Sequence, residues 1–167
     1  MILKTLNVIA LILLNSHGFA QEQAIQIEHQ YARASSPIAK SGAIFMHIMN
    51  NSPNNDRLIT VRTETATTPE IHTLIMEDGI AKMRKLEDGV EILANNFVIL
   101  ERGGMHIMMM GLTRPLHNGD VITITLIFEM FGEITIDVPV DNERQGTMKI
   151  DRKSTRLNSS HDQNSYA

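Results

Sequence analysis

From residue 25 to residue 140 apolar and polar side chains alternate with a period of two, and no window sustains the 3.6-residue period of a helix. Such alternation is the mark of strands with one buried and one solvated face, so the chain is confined to β architectures. Residues 25–31, 43–49 and 58–64 form the first three expected strands. Three hairpins are expected after them: residues 71–76 and 80–86 around Glu77-Asp78-Gly79, residues 90–93 and 97–101 around Ala94-Asn95-Asn96, and residues 121–130 and 133–140 around Phe131-Gly132. Turn residues recur every 8–12 positions, as they do in sandwiches and small barrels. The expected fold is all-β, an antiparallel β-sandwich or Greek-key barrel, with no repeat or linker dividing it.

The ends of the chain are unlike this centre. Met1-Ile-Leu-Lys4 is a short positive start, residues 5–14 are mostly apolar, and Gly18-Phe19-Ala20 places small residues at a cleavage site, so residues 1–20 read as a signal peptide. The apolar run breaks at Asn15-Ser16-His17, short of the roughly 18 residues that span a bilayer, and no cysteine follows it to accept a lipid. A soluble periplasmic monomer without a stable membrane anchor is expected from about Gln21. From about Lys149 the sequence turns polar and patternless, and residues 149–167 read as a disordered or non-native tail. His161 lies in it and is set aside.

Charge and composition narrow the partners. Residues 21–148 carry 10 Lys and Arg against 17 Asp and Glu, a balance of −7 with no basic stripe, which excludes nucleic acid. Aromatic residues make up 4% of the chain and Trp is absent, too few for base- or sugar-stacking platforms. Eleven methionines accompany zero cysteines. An exported chain of this kind has no disulfide to lean on, so its stability must come from the core.

Methionine is adaptable core filler, and most of the eleven are expected to pack, Met46, Met49, Met109 and Met130 among them. His29, His47 and His117 stand alone in sequence and read as surface or satisfied residues, His117 beside the Asn118-Gly119 turn. Gly103-Gly-Met-His-Ile-Met108 differs, because i and i+2 of a strand share a face and His106 therefore projects beside Met108. In the hairpin at Asp78-Gly79, a two-residue turn pairs Glu77 with Ile80 and Leu74 with Met83. His72 then sits diagonally from Met83, about 7–8 Å away. A register moved by two residues would set them directly opposite, and a three-residue loop would separate their faces. Two imidazoles with two neutral thioethers form a soft set that suits Cu(I). Blue-copper electron transfer needs a thiolate and is excluded.

The order His72, Met83, His106-Ile-Met108 resembles the signature of the periplasmic PCuAC copper chaperones. Tyr31-Ala-Arg-Ala34, Gly42-Ala-Ile-Phe45 with Asn50, Glu70-Ile-His72, Gly103-Gly-Met-His-Ile-Met-Met-Met-Gly-Leu112, Pro115-Leu116, Gly119-Asp120 and Leu126-Ile-Phe128 match that pattern in the same order. The interval from Met83 to His106 is one residue longer than the pattern, which leaves Met76, across the turn, as a substitute for Met83. The resemblance implies a cupredoxin-like form of the β-sandwich and one Cu(I) held by His72, Met83, His106 and Met108. It also implies delivery to a copper-accepting protein such as a cytochrome c oxidase subunit, alongside Sco-type proteins. A storage or detoxification protein without a dedicated acceptor is the alternative. No nucleophile triad, glycine-rich phosphate loop or paired carboxylate motif is visible, so no catalysis is expected.

Overall fold

The computed structural model describes residues 24–144; the expected signal peptide (1–20) and tail (149–167) lie outside them. Among the described residues there are ten strands and no helix. They are β1 (Ile25–Ala34), β2 (Ser41–Asn50), β3 (Asp56–Arg62), β4 (Ala66–Glu77), β5 (Ile80–Lys85), β6 (Val90–Ile92), β7 (Asn96–Leu100), β8 (His106–Leu112), β9 (Val121–Phe128) and β10 (Gly132–Pro139).

The strands form two sheets. The first runs β1-β2-β8-β4-β5, with β7 pairing the distal half of β2, and the second runs β10-β9-β3-β6. Every strand pair is antiparallel; one parallel bridge, Ala32 to Val140, ties the sheets at the edge. The layer between the sheets is apolar and follows from the alternation. Ile44, Met46 and Ile48 of β2, Ile71 of β4 and Ile107 and Met109 of β8 meet Leu58 and Val61 of β3 and Ile122, Ile124, Leu126 and Phe128 of β9, all buried. The residues between them, Phe45, His72, His106 and Met108, therefore face outward from the first sheet. The antiparallel sandwich is the expected architecture.

The expected hairpin at residues 94–96 does not form. β6 pairs with β3 in one sheet and β7 with β2 in the other, so the segment is an arch between sheets. Its turn bonds elsewhere: the Ala94 N–H donates to Asn55 Oδ1 at 2.9 Å and the Asn95 N–H to the Ser52 carbonyl at 3.0 Å. Ile92 and Leu100 both enter the central core, one from each sheet, which direct pairing would prevent. Asn50, fully buried, locks this corner. Its Nδ2 donates to the Asn54 and Ile92 carbonyls at 2.8 and 3.1 Å, and its Oδ1 accepts from the Ser52 N–H and hydroxyl at 3.0 and 2.7 Å.

Methionine packing holds in part. Met46 and Met109 are core residues, Met49 is half-buried, and Met130 is 71% exposed rather than packed. The β9–β10 turn is held through its main chain instead: the Met130 and Phe131 N–H groups donate to the buried Asp56 carboxylate at 2.9 and 3.2 Å. That leaves the Met130 side chain in solvent.

Candidate metal centre

The outer face of the first sheet, where β8, β4 and β5 lie side by side, gathers the sequence candidates. His72 of β4 and His106 of β8 are direct cross-strand partners, with ring centroids 6.1 Å apart and planes inclined at 58°. Met108 shares the His106 face and lies opposite Glu70. On the other side of β4, Lys85 is opposite His72 and Met83 is opposite Leu74, which is the register of a two-residue turn. Asp78 and Gly79 both have positive φ, 52° and 76°, the conformation a tight hairpin turn of this kind requires. Met83 therefore occupies the diagonal position next to His72. Met76 lies on the same strand as His72 but four residues on, about 13 Å along β4.

Depth varies across this face. His106 is 5% exposed, tilted against Phe45 at 6.2 Å between centroids, and Phe45 in turn packs on Tyr31 at 5.0 Å. Met83 and Met76 are 57% and 66% exposed. The imidazoles form a sheltered floor and the β5 thioether an open rim. Behind it, Ile107 is fully buried, which contributes about 1.5–3 kcal/mol to holding β8 in place.

Hydrogen bonds orient both rings. His106 Nδ1 lies 3.1 Å from the Gly104 carbonyl, which can only accept, so Nδ1 carries the proton and Nε2 keeps a lone pair. The Glu101–Met105 turn supplies that carbonyl: the Glu101 N–H donates to Met105 O at 2.7 Å and the Gly104 N–H to Glu101 O at 3.2 Å. For His72, Nε2 lies 3.0 Å from Glu70 Oε2, while Nδ1 is buried with no partner. A carboxylate also only accepts, so the proton sits on Nε2 and an unused lone pair on Nδ1. Each imidazole thus keeps one nitrogen free for a ligand, and leaving His72 Nδ1 buried and unpaired costs stability. The Glu70 carboxyl is held below its ordinary range, first by the His72 hydrogen bond and then by Lys85, whose Nζ is 3.4 Å away.

Among the described residues no three His, Cys, Asp or Glu side chains converge as an ion-binding group. An ion held by His72 and His106 must therefore complete its shell with the thioethers or with water.

A glycine fixes the end of β8. Gly111 has φ +65°, and a Cβ there would lie 2.1 Å from Thr67 Oγ1, so the strand can turn beside β4 at this point only without a side chain. The Met-Met-Met-Gly-Leu run thereby gains a physical reason.

The LpqE-like family model matches residues 25–140. This chain belongs to the LpqE-like family of PCuAC-type domains. A Leifsonia xyli protein named as a lipoprotein, Lxx21020, is 29% identical over 122 residues, covering 72% of this chain and 71% of its own. Among solved structures, the Cu(I) form of DR1885 from Deinococcus radiodurans is 30% identical, covers 74% of this chain and 84% of that one, and superposes with TM-score 0.58. The copper-bound PCuAC domain of PmoF2 is 25% identical, with coverage of 71% and 93% and TM-score 0.60.

In this PCuAC-type domain two residues at the centre escaped the sequence reading of roles. Glu70 was legible through parity, since i and i+2 put it on the face of His72. Phe45 was not, because its place beside His106 depends on β2 pairing β8.

Proposed function

We propose that this protein is an exported copper chaperone that carries one Cu(I) on His72, Met83, His106 and Met108 and hands it to a copper-accepting protein. The observation that carries the reading is the register of His72 against His106, with one unused nitrogen on each ring and a thioether on either side. With the free nitrogen of each ring turned to one ion, metal–nitrogen bonds of about 2.0–2.1 Å and ring centroids about 1.1 Å behind the donor atoms, a centroid separation of 6.1 Å corresponds to an N–metal–N angle of about 145–160°. A wide angle of this kind suits a d¹⁰ ion of low coordination number, and the thioethers add soft, neutral donors.

The depth profile supports transfer. An acceptor docking over β5 meets the exposed Met83 first, can displace that ligand, and reaches the sheltered imidazoles last. A respiratory acceptor such as a cytochrome c oxidase subunit, alongside a Sco-type protein, is the partner that the resemblance to the PCuAC chaperones implies, and the periplasm is where they would meet. The proposed domain is residues 21–148. No step of bond chemistry is required of the chain.

Titration of the purified protein with Cu(I) against a competing chelator is the test. One equivalent should bind, with mixed sulfur and nitrogen scattering in X-ray absorption, and a His106→Ala, Met108→Ala double variant should lose about 100-fold in affinity, roughly 2.8 kcal/mol. Unchanged affinity in that variant, or coordination by oxygen and nitrogen alone, would overturn the site. Transfer to an apo acceptor separates a chaperone from a storage protein: failure with every respiratory-oxidase acceptor would favour storage.

A further inference from the structure

The outer face of the first sheet carries a second pair of histidines that the sequence left apart. His47 of β2 and His29 of β1 stand with ring centroids 4.9 Å apart and planes inclined at 68°. They lie on the same face as His106, beyond Phe45 along β2, and no residue is shared with the centre described above. Glu28 is the direct cross-strand partner of His47, and its Oε2 lies 4.0 Å from His29 Nε2.

Two features show that this pairing has a structural cost. His29 has φ +56°, a left-handed conformation that a non-glycine residue adopts only where its surroundings impose it. It falls in a bulge, where the ladder passes from Glu28↔His47 to Tyr31↔Phe45 and β1 holds one residue more than β2. Bulges re-aim side chains, and this one brings a histidine to the flank of another. Burial, then the neighbouring His29, lower the pKa of His47, which favours the neutral form that offers a lone pair; Arg144 acts in the same direction, against Glu28 and Glu101.

From this geometry we infer that His29 and His47 form a second metal site, a two-imidazole chelate for a divalent cation, with Cu(II) the strongest binder. On the same metal–nitrogen distances, and with one nitrogen of each ring turned to a shared ion, a separation of 4.9 Å corresponds to an N–metal–N angle of about 100–105°. That is close to adjacent corners of a tetragonal shell, the arrangement Cu(II) prefers, and far from the wide angle at His72 and His106. No thioether belongs to the pair, and the nearby Glu28 carboxylate is a hard group that favours a doubly charged ion. Water completes the shell, because His29 and Glu28 are each about half exposed. Among divalent first-row ions, the order of affinities for nitrogen donors places Cu(II) first. The domain then carries two copper sites of opposite preference on one sheet face.

The test is a titration of the purified protein with Cu(II) sulfate, followed by electron paramagnetic resonance and by proton NMR of the histidine rings. In the unaltered protein the His29 and His47 ring signals should broaden first, with hyperfine structure from two nitrogens. His29→Asn, a residue that tolerates the left-handed backbone, and His47→Gln should each weaken Cu(II) binding at least tenfold and leave the Cu(I) titration unchanged. His106→Ala should leave the Cu(II) signal in place. The inference is overturned if the His72 and His106 signals broaden first, or if His29→Asn and His47→Gln both bind Cu(II) within twofold of the unaltered protein. Because the readout is Cu(II) at residues outside the Cu(I) centre, it stands or falls independently of the chaperone reading.

Discussion

Replacing Asn50 by alanine probes what joins the two sheets. Its side chain makes four hydrogen bonds at a position with no solvent exposure, two donated to the Asn54 and Ile92 carbonyls and two accepted from Ser52. Truncation leaves the Ile92 carbonyl and the Ser52 N–H without these partners in a buried corner, while the Ser52 hydroxyl can still donate to the Asn54 carbonyl at 2.9 Å. At about 1–3 kcal/mol for each stranded buried group, and with water recovering part of the loss, Asn50→Ala should cost about 3–5 kcal/mol. That is a large share of the 5–15 kcal/mol typical of a domain. Ser52→Ala removes only the hydroxyl and should cost about 1 kcal/mol. Urea denaturation of the three proteins is the assay, with the midpoint moving at constant slope if the native packing alone is weakened. A cost for Asn50→Ala no greater than that of Ser52→Ala would refute the assignment of this corner as the clasp between sheets.

Three further outcomes are expected at the metal centre and the turns. Met83→Ala, at an exposed position, should leave stability within about 0.5 kcal/mol while removing one sulfur from the Cu(I) X-ray absorption signal; Met76→Ala should change neither, and the reverse pattern would move the fourth ligand. Glu70→Ala should weaken Cu(I) binding about tenfold, at the low end of what partners of metal-bound histidines contribute, and Glu70→Gln, which keeps an acceptor oxygen for His72 Nε2, should recover most of it in the same chelator competition. Asp120 accepts the His117 N–H at 3.0 Å and Arg114 Nη1 at 2.8 Å, and these bonds hold its carboxyl below the ordinary value of 3.8. A depressed carboxyl adds stability above its unfolded pKa and loses it as the pH falls through the folded value. Asp120→Asn should therefore melt earlier than the unaltered protein at pH 7, with the gap closing below about pH 4; a gap that widens in acid would contradict the assignment.

What the sequence determined by itself was local. Alternation marked the strands because a pleated chain exposes successive side chains to opposite faces, and Asp78-Gly79 marked the β4–β5 turn because both residues accept positive φ, while the two-residue register itself was chosen by the fold. The same parity tied His106 to Met108 before any pairing was known. Only the tertiary structure decided what lay across strands distant in sequence. Residues 94–96 looked like a hairpin turn, yet Ile92 and Leu100 gain more by entering the core from opposite sheets, and Asn50, Ser52 and Asn55 satisfy the arch that results. His72 met His106 because β8 inserts between β2 and β4, a pairing that no local pattern encodes. His29, isolated in sequence, reached His47 through a bulge whose left-handed residue carries no glycine or asparagine to announce it. Neighbouring residues fix the direction in which a side chain projects, whereas its partner is chosen by which faces the whole chain can bury together.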